Sequence, residues 1–231
     1  MRHSIALAVL VALVGCGGEA REAAEQAAAD SVARARASVP PLLNPRLMND
    51  TSPDLYRARF RTTAGEFVVE VHRDWAPRGA DRFYNLVKAG YYDSVYVHRV
   101  TPNLAQFGFY PDPRINNFWL KRYIGDDPVT QSNTRGRVTF AHAGMNTRAT
   151  QVFLNRQDNS RLDEQGFAPF GEVVEGMEIT DAFYGEYGEL APEGNGPIPG
   201  QAAFKGNEYL STEFPELTQI QQVTIEAPPA G

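Results

Sequence analysis

The stretch YVHRVTP at residues 96–102 combines a strand pattern with one chemically active side chain, Arg99. Valine and tyrosine favour extended backbone, and proline ends a strand because it has no backbone N–H for the ladder. Residues 95–100 are therefore predicted to form a strand that carries Arg99. An isolated arginine in a strand is usually solvated or ion-paired, so its role has to be inferred from the sequence around it.

Short strand-like segments recur on both sides of this stretch. Residues 55–61 and 66–71 flank a turn at Gly65, which predicts a hairpin. Further strands are predicted at residues 137–141, 151–154, 170–174 and 222–225.

Two helices are predicted among the strands. Ala80, Phe83, Tyr84 and Val87 recur at the spacing of one helical face. Residues 176–184 form the second candidate, and the Gly/Pro/Glu-rich residues 185–205 are predicted to be a long loop. Many short strands with two helices predict a mainly β protein, a closed barrel capped at its ends.

Two further segments accompany residues 96–102. Residues 141–153 read AHAGMNTRATQVF, and residues 167–173 read FAPFGEV. In order and spacing, the three segments resemble the cyclophilin motifs F-H-R-x-x-P, A-N-A-G-P-N-T-x-x-S-Q-F-F and H-V-V-F-G-x-V. Leu162-Asp163 is similar to the family's L-D-G turn. Three motifs in one register are far more specific than any one of them.

The resemblance to cyclophilins implies a closed eight-stranded antiparallel barrel capped by two helices, with peptidyl-prolyl cis-trans isomerase activity and no cofactor. Rotation about an X-Pro bond has a barrier of ~18–20 kcal/mol because the bond has partial double-bond character. A catalyst needs only to bind the twisted amide better than the planar forms. The resemblance implies that Arg99 donates a hydrogen bond to the proline nitrogen, which regains its lone pair on twisting. A guanidinium suits this role because it stays charged and its donors are rigidly placed.

The resemblance also implies an apolar slot for the proline ring. Phe153, Leu162 and Phe167 are expected to line it, with Leu104 at its rim.

The implied contacts to the substrate backbone come from polar side chains and a strand edge. Gln106 and Gln151 are expected to hold the peptide and orient Arg99. Ala141 and His142 are expected on the edge that pairs with an extended peptide. Backbone contacts accept any sequence, so the expected partners are proline-containing polypeptides with little further selectivity.

The sequence departs from the family pattern at several points, three of which concern the expected groove. Gln106 follows Arg99 by seven positions where eight are usual, which affects the roles of Leu104 and Gln106. Arg161 replaces a tryptophan linked to tight cyclosporin binding, which implies weak sensitivity to that inhibitor. Phe167 stands where histidine often occurs, which makes the slot more apolar.

Composition argues against several other functions. The chain has 22 Lys and Arg against 28 Asp and Glu, a formal net charge of -6. An acidic chain gains nothing from counterion release, so no nucleic-acid partner is expected. Four histidines and one cysteine form a poor ligand set, so no metal is expected. His98 is interpreted as structural.

Two other interpretations remain open. One is a non-catalytic module that uses the same groove as a chaperone or scaffold. The other is a lipocalin-like carrier, which would need an empty barrel. The bulky side chains of Phe60, Phe67, Val69 and Phe140 argue against the carrier.

The N-terminus is typical of an exported protein. An apolar run at residues 5–14 is too short to span a bilayer but suits the core of a secretory signal. The following LVGC resembles the bacterial lipobox, in which Cys16 receives the lipid and becomes the new N-terminus. The alternative is an ordinary signal peptide with an incidental cysteine. The residue after the cysteine is Gly17 rather than aspartate, which resembles the pattern of outer-membrane lipoproteins. We therefore expect a lipid-anchored envelope protein on the periplasmic face of the outer membrane.

The predicted domain organisation follows from these segments. Residues 1–15 are the lipoprotein signal peptide, and residues 16–53 are a tether. The tether is Ala-rich and partly helical, with a coiled-coil or docking helix as the alternative. Residues 54–227 are the isomerase domain, expected to be a monomer, and residues 228–231 are a tail.

Overall fold

The computed structural model describes residues 41–227. Eight strands dominate this part of the chain. They are β1 (Leu55–Thr62), β2 (Gly65–His72), β3 (Val95–Val100), β4 (Leu104–Phe107), β5 (Arg137–Phe140), β6 (Val152–Asn155), β7 (Pro169–Glu175) and β8 (Gln219–Glu226).

The strands close into one barrel in the order β1-β2-β7-β5-β6-β4-β3-β8, and β8 pairs back onto β1. All eight pairings are antiparallel. The predicted fold class, a mainly β closed barrel of eight antiparallel strands, is confirmed. Side chains alternate along β1 between buried and more exposed positions, as expected when one face of a strand lines a core.

Aromatic side chains fill the barrel. Phe60 stacks on Phe67 with ring centroids 4.5 Å apart and meets Phe107 edge-on at 5.7 Å. Phe140 packs against Phe170 at 5.1 Å, and these five rings are at most 1% exposed. A carrier needs an open interior, so the filled core removes the basis for the lipocalin-like alternative.

The described residues contain five α-helices rather than two. They are α1 (Pro77–Lys88), α2 (Pro113–Trp119), α3 (Met177–Asp181), α4 (Pro199–Lys205) and α5 (Asn207–Glu213). The two predicted helices correspond to α1 and α3. In α1, Phe83 packs onto Phe60 and Phe170 of the barrel core.

The prediction of a long loop over residues 185–205 is wrong for its last seven residues, which form α4. Proline suits the first turn of a helix because its missing N–H would have no partner there. The helix is held by tertiary contacts, because Ala202 and Ala203 pack with Phe109 and Leu210 in a second apolar cluster. A Gly/Pro-rich composition does not reveal such packing.

The packed unit begins at Pro41 rather than at residue 54. Leu42 is 2% exposed, and its carbonyl accepts a hydrogen bond of 2.9 Å from the indole of Trp119. Ser52 donates to the carboxylate of Asp81 at 2.9 Å. Part of the predicted tether therefore belongs to the folded unit.

The predictions for residues 1–40 and 228–231 lie outside the described residues. These are the signal peptide, the lipidated Cys16, most of the tether and the tail. Within residues 41–227, no helix has the length and apolar character needed to cross a bilayer.

Candidate active site

Arg99 and Gln106 lie opposite each other on β3 and β4. The register between these strands shifts by one residue at His98, so that Arg99 rather than His98 faces Gln106. Gln106 in turn pairs with Phe153 on β6. The segment between Arg99 and Gln106 is one residue shorter than the cyclophilin pattern. Even so, Arg99, Gln106 and Phe153 occupy paired positions on three adjacent strands.

A chain of hydrogen bonds joins Arg99 to both glutamines. Nη1 of Arg99 donates to Oε1 of Gln106 at 3.0 Å, and Nε2 of Gln106 donates to Oε1 of Gln151 at 2.8 Å. The amide of Gln106 has a partner at each end, which fixes its donor and acceptor ends. The guanidinium is therefore held in one orientation on this side.

An apolar slot opens beside this chain. Phe167 stacks on His142 with ring centroids 3.9 Å apart and meets Phe153 edge-on at 5.7 Å. The slot is part of a pocket of about 300 Å³ that contains eight of the nine predicted catalytic and substrate-binding residues. These eight are Arg99, Leu104, Gln106, Ala141, His142, Phe153, Leu162 and Phe167.

The ninth residue, Gln151, lines a neighbouring pocket of about 340 Å³. The two pockets share Gln106, Ala141 and His142. The structure thus brings all nine residues to one continuous surface.

A polar network that the sequence analysis does not predict supports the slot. The carboxylate of Asp163 accepts hydrogen bonds from the backbone and side chain of Asn133, at 2.9 and 2.7 Å, and from Ser132 at 2.5 Å. Partial burial raises the pKa of Asp163, but these hydrogen bonds outweigh burial and lower it overall. The network fixes the 3₁₀ turn Ser160–Gln165, which carries Leu162.

His98 is buried in the barrel wall behind Arg99. Burial, reinforced by the charge of Arg99, lowers the pKa of His98 to about 3, so its imidazole is neutral at neutral pH. Burial also lowers the pKa of His142. Both rings pack on phenylalanine, His98 on Phe109 at 4.4 Å.

One group of potential metal ligands occurs among residues 41–227, and it does not include His98 or His142. It consists of Glu70, His72 and Glu172 on the barrel wall. Arg57 pairs with Glu70 at 3.0 Å and Arg137 with Glu172 at 2.8 Å, so cations already partner both carboxylates.

Glu189 is a further residue at the site that the sequence analysis does not predict. Its Oε2 accepts a hydrogen bond of 2.7 Å from Nη2 of Arg99, and its Oε1 lies 2.6 Å from Nε. Glu189 is one of several acidic residues between β7 and α4, and no local pattern marks it out.

Comparison with known proteins identifies relatives of this chain. The family model described as "Cyclophilin type peptidyl-prolyl cis-trans isomerase/CLD" matches residues 57–191. A peptidyl-prolyl cis-trans isomerase of Schizosaccharomyces pombe is 32% identical over 125 residues, which cover 52% of this chain and 79% of that protein. One from Acinetobacter baylyi is 30% identical over 127 residues, covering 52% and 68%. A longer relative, the peptidyl-prolyl cis-trans isomerase-like 2 of Gibberella zeae, is 32% identical, but the match spans only 22% of its length.

Solved structures show the same fold. The crystal structure of a cyclophilin-type isomerase from Cryptosporidium parvum superimposes with a TM-score of 0.56 at 20% identity, covering 76% of this chain and 99% of that chain. The fold and the site together define a closed antiparallel β-barrel protein with a partly polar, partly apolar groove on its wall. Because the family model covers more than half of the sequence, the chain belongs to the cyclophilin-type peptidyl-prolyl cis-trans isomerase family.

Proposed function

We propose that this chain accelerates cis-trans isomerisation of X-Pro bonds, with Arg99 as the catalytic residue. The observation that carries the proposal is the convergence of Arg99, Gln106 and Phe153 on one open pocket. A guanidinium, which carries more N–H donors than its neighbours use, thereby adjoins an apolar slot that we propose receives the proline ring.

The proposed mechanism needs no covalent step. As the amide twists, its nitrogen loses conjugation with the carbonyl and its lone pair becomes an acceptor. A guanidinium N–H of Arg99 donates to that lone pair, an interaction available only in the twisted state, so it lowers the barrier rather than merely binding substrate. Gln106 keeps the guanidinium oriented for this contact.

The rest of the groove positions the substrate. The proline ring occupies the slot formed by Phe153, Leu162 and Phe167, beside Leu104. Ala141 and His142 offer the edge along which an extended peptide pairs, and Gln151 holds its backbone. A solved relative from Cryptosporidium parvum was studied in the presence of the dipeptide Ala-Pro, which supports a proline-containing ligand for this chain as well.

The wild-type protein is expected to accelerate isomerisation of an Ala-Pro tetrapeptide, and Phe167→Ala to lower kcat/KM about tenfold. The loss comes from removal of apolar contact with the proline ring, since a buried aromatic side chain contributes roughly 1.5–3 kcal/mol. A protease-coupled assay measures the rate.

Phe204→Ala is the matched control, because it removes the same side chain from an exposed position on α4. It should leave kcat/KM unchanged. A wild-type protein without activity would refute the proposed function, whereas equal losses in both variants would refute the assignment of the slot.

We further propose that the chain is exported and anchored through a lipid on Cys16, and that it acts as a monomer on exported polypeptides at the periplasmic face of the outer membrane. The apolar run at residues 5–14 followed by LVGC supports this placement. Several acyl chains on one residue give stable anchoring.

Cys16→Ser is expected to abolish incorporation of a labelled fatty acid and to release the folded domain from the membrane fraction. Isomerase activity of the released protein should match that of the wild type. Labelling of wild type and Cys16→Ser to the same extent would contradict the lipid anchor.

A further inference from the structure

Glu189 forms a two-point ion pair with Arg99. One carboxylate oxygen lies 2.6 Å from Nε and the other accepts from Nη2 at 2.7 Å. A planar carboxylate that meets two nitrogens of a planar guanidinium fixes its orientation as well as its position. Gln106 contacts the remaining nitrogen, Nη1, so all three nitrogens of the guanidinium have a defined neighbour.

Glu189 is not among the residues that line the groove. Arg99 and Gln106 line the pocket with the apolar slot, whereas Glu189 lines neither this pocket nor the adjacent one. The carboxylate therefore meets Arg99 from outside the groove. This placement favours support of the guanidinium over blockage of the site.

The backbone around Glu189 holds the carboxylate in place. Its Oε1 accepts from the backbone N–H of Leu190 at 2.8 Å, and its own carbonyl accepts from the N–H of Gly196 at the same distance. A Cβ at Gly194 or Gly196 would lie 2.4 or 2.7 Å from that carbonyl oxygen, so only glycine allows the chain to fold this closely over Glu189.

The carboxylate is ionised at neutral pH. Partial burial raises the pKa of Glu189, but hydrogen bonds from Arg99 and from the Leu190 N–H, together with the charge of Arg99, lower it below its usual value. The side chains of Arg99 and Glu189 are 27% and 35% exposed, so water screens the pair and it adds little to folding stability. Its main consequence is the geometry of Arg99.

We propose that Glu189 is a positioning residue for isomerisation, which holds the guanidinium of Arg99 in the orientation that presents an N–H to the proline nitrogen. The inference rests on the proposed function, since it assigns Glu189 a role through Arg99. In the Glu189→Gln variant, an amide N–H₂ replaces one carboxylate oxygen and faces an N–H of Arg99, so two donors oppose each other. The guanidinium then keeps its contact with Gln106 but loses the two-point contact with residue 189.

Glu189→Gln is expected to lower kcat about tenfold with KM nearly unchanged, because misorientation of a catalytic group affects the transition state more than binding. Exchange NMR on an Ala-Pro tetrapeptide separates the on-enzyme rate from affinity. Glu193→Gln is the matched control, since it makes the same change at an exposed position of the same loop and should behave as wild type. Melting temperatures of both variants should lie within about 3 °C of wild type.

A double-variant comparison tests whether Glu189 acts through Arg99. In an Arg99→Ala background, Glu189→Gln should cause no further loss of rate, whereas a merely structural role would cost the same in both backgrounds. The guanidinium N–H resonances of Arg99, assigned by their absence in Arg99→Ala, should shift in Glu189→Gln and not in Glu193→Gln.

The outcomes separate this inference from the proposed function. An inactive wild-type protein would refute the isomerase assignment itself. An active wild type with a Glu189→Gln variant that is equally fast or faster would refute only the positioning role, as would a loss of rate that persists in the Arg99→Ala background.

Discussion

Replacement of Arg99 by alanine is expected to slow catalysed isomerisation by about 100-fold or more. Removal of one preorganised donor from a site that stabilises developing charge typically costs 10²–10³ in rate. Arg99 lines the slot pocket beside Gln106 and Phe153, and its proposed contact exists only in the twisted amide. A protease-coupled assay on an Ala-Pro tetrapeptide, with kcat and KM measured separately, gives the size of the loss.

Arg61→Ala is the control for this variant, since it removes an exposed arginine of β1 outside both pockets. It should retain the wild-type rate. An Arg99→Ala protein as fast as wild type would show that Arg99 is not the catalytic group. An inactive wild type that still binds proline peptides through this groove would favour the non-catalytic chaperone or scaffold instead.

Replacement of Asp127 by asparagine is expected to lower the free energy of unfolding by about 3 kcal/mol. Arg148 is 1% exposed, and its Nη1 donates to Oδ2 of Asp127 at 3.0 Å. Removal of one partner from a buried ion pair leaves the other charge uncompensated, which typically costs 3–5 kcal/mol. Asp126 lies 3.4 Å from Nε of Arg148 and offsets part of the loss, so the lower end of this range applies.

Asp127 has a second role that strengthens this expectation. Its carboxylate accepts from the backbone N–H groups of Arg78 and Gly79, at 3.1 and 2.9 Å, in the first turn of α1. The residue before this helix, Ala76, has no side chain that could cap it. One buried carboxylate thus joins a helix start to Arg148 within the motif at residues 141–153.

Chemical denaturation measures the effect. The matched control is Asp50→Asn, which breaks the exposed pair with Lys88, where the side chains are 57% and 45% exposed. Exposed pairs contribute less than about 1 kcal/mol, so the control should be nearly as stable as wild type. Equal stability of Asp127→Asn and Asp50→Asn would contradict the structural importance of the buried pair.

Much of the barrel can be predicted from the sequence because the strand pattern is local. β-branched and aromatic residues are concentrated on both sides of Arg99, and Gly65 marks the hairpin between β1 and β2. The four-residue strand β4 is too short to show such a pattern, and it follows Thr101-Pro102, which resembles a loop. The helices α4 and α5 depend on burial of small and aromatic side chains against Phe109, which no local pattern reports.

The predicted site residues share one surface although they come from five separate parts of the chain. The sequence motifs identify these residues, but the register between β3 and β4 decides which of them face each other. Because the register shifts at His98, the imidazole of His98 is buried in the barrel wall and Arg99 lies opposite Gln106. A shift of one residue reverses which side chains face the groove, and short-range patterns do not specify it.

By itself, the sequence determined that this chain is a mainly β protein of the cyclophilin-type family, with Arg99 and its motif partners as the candidate site, because those features reside in local patterns and ordered motifs. Only the tertiary structure decided that Glu189, 90 residues further along, completes the surroundings of Arg99. It also decided that Asp127 forms a buried ion pair with Arg148. These contacts depend on how distant loops meet after the barrel closes. The sequence around a charged loop residue does not indicate which distant residue it will pair with.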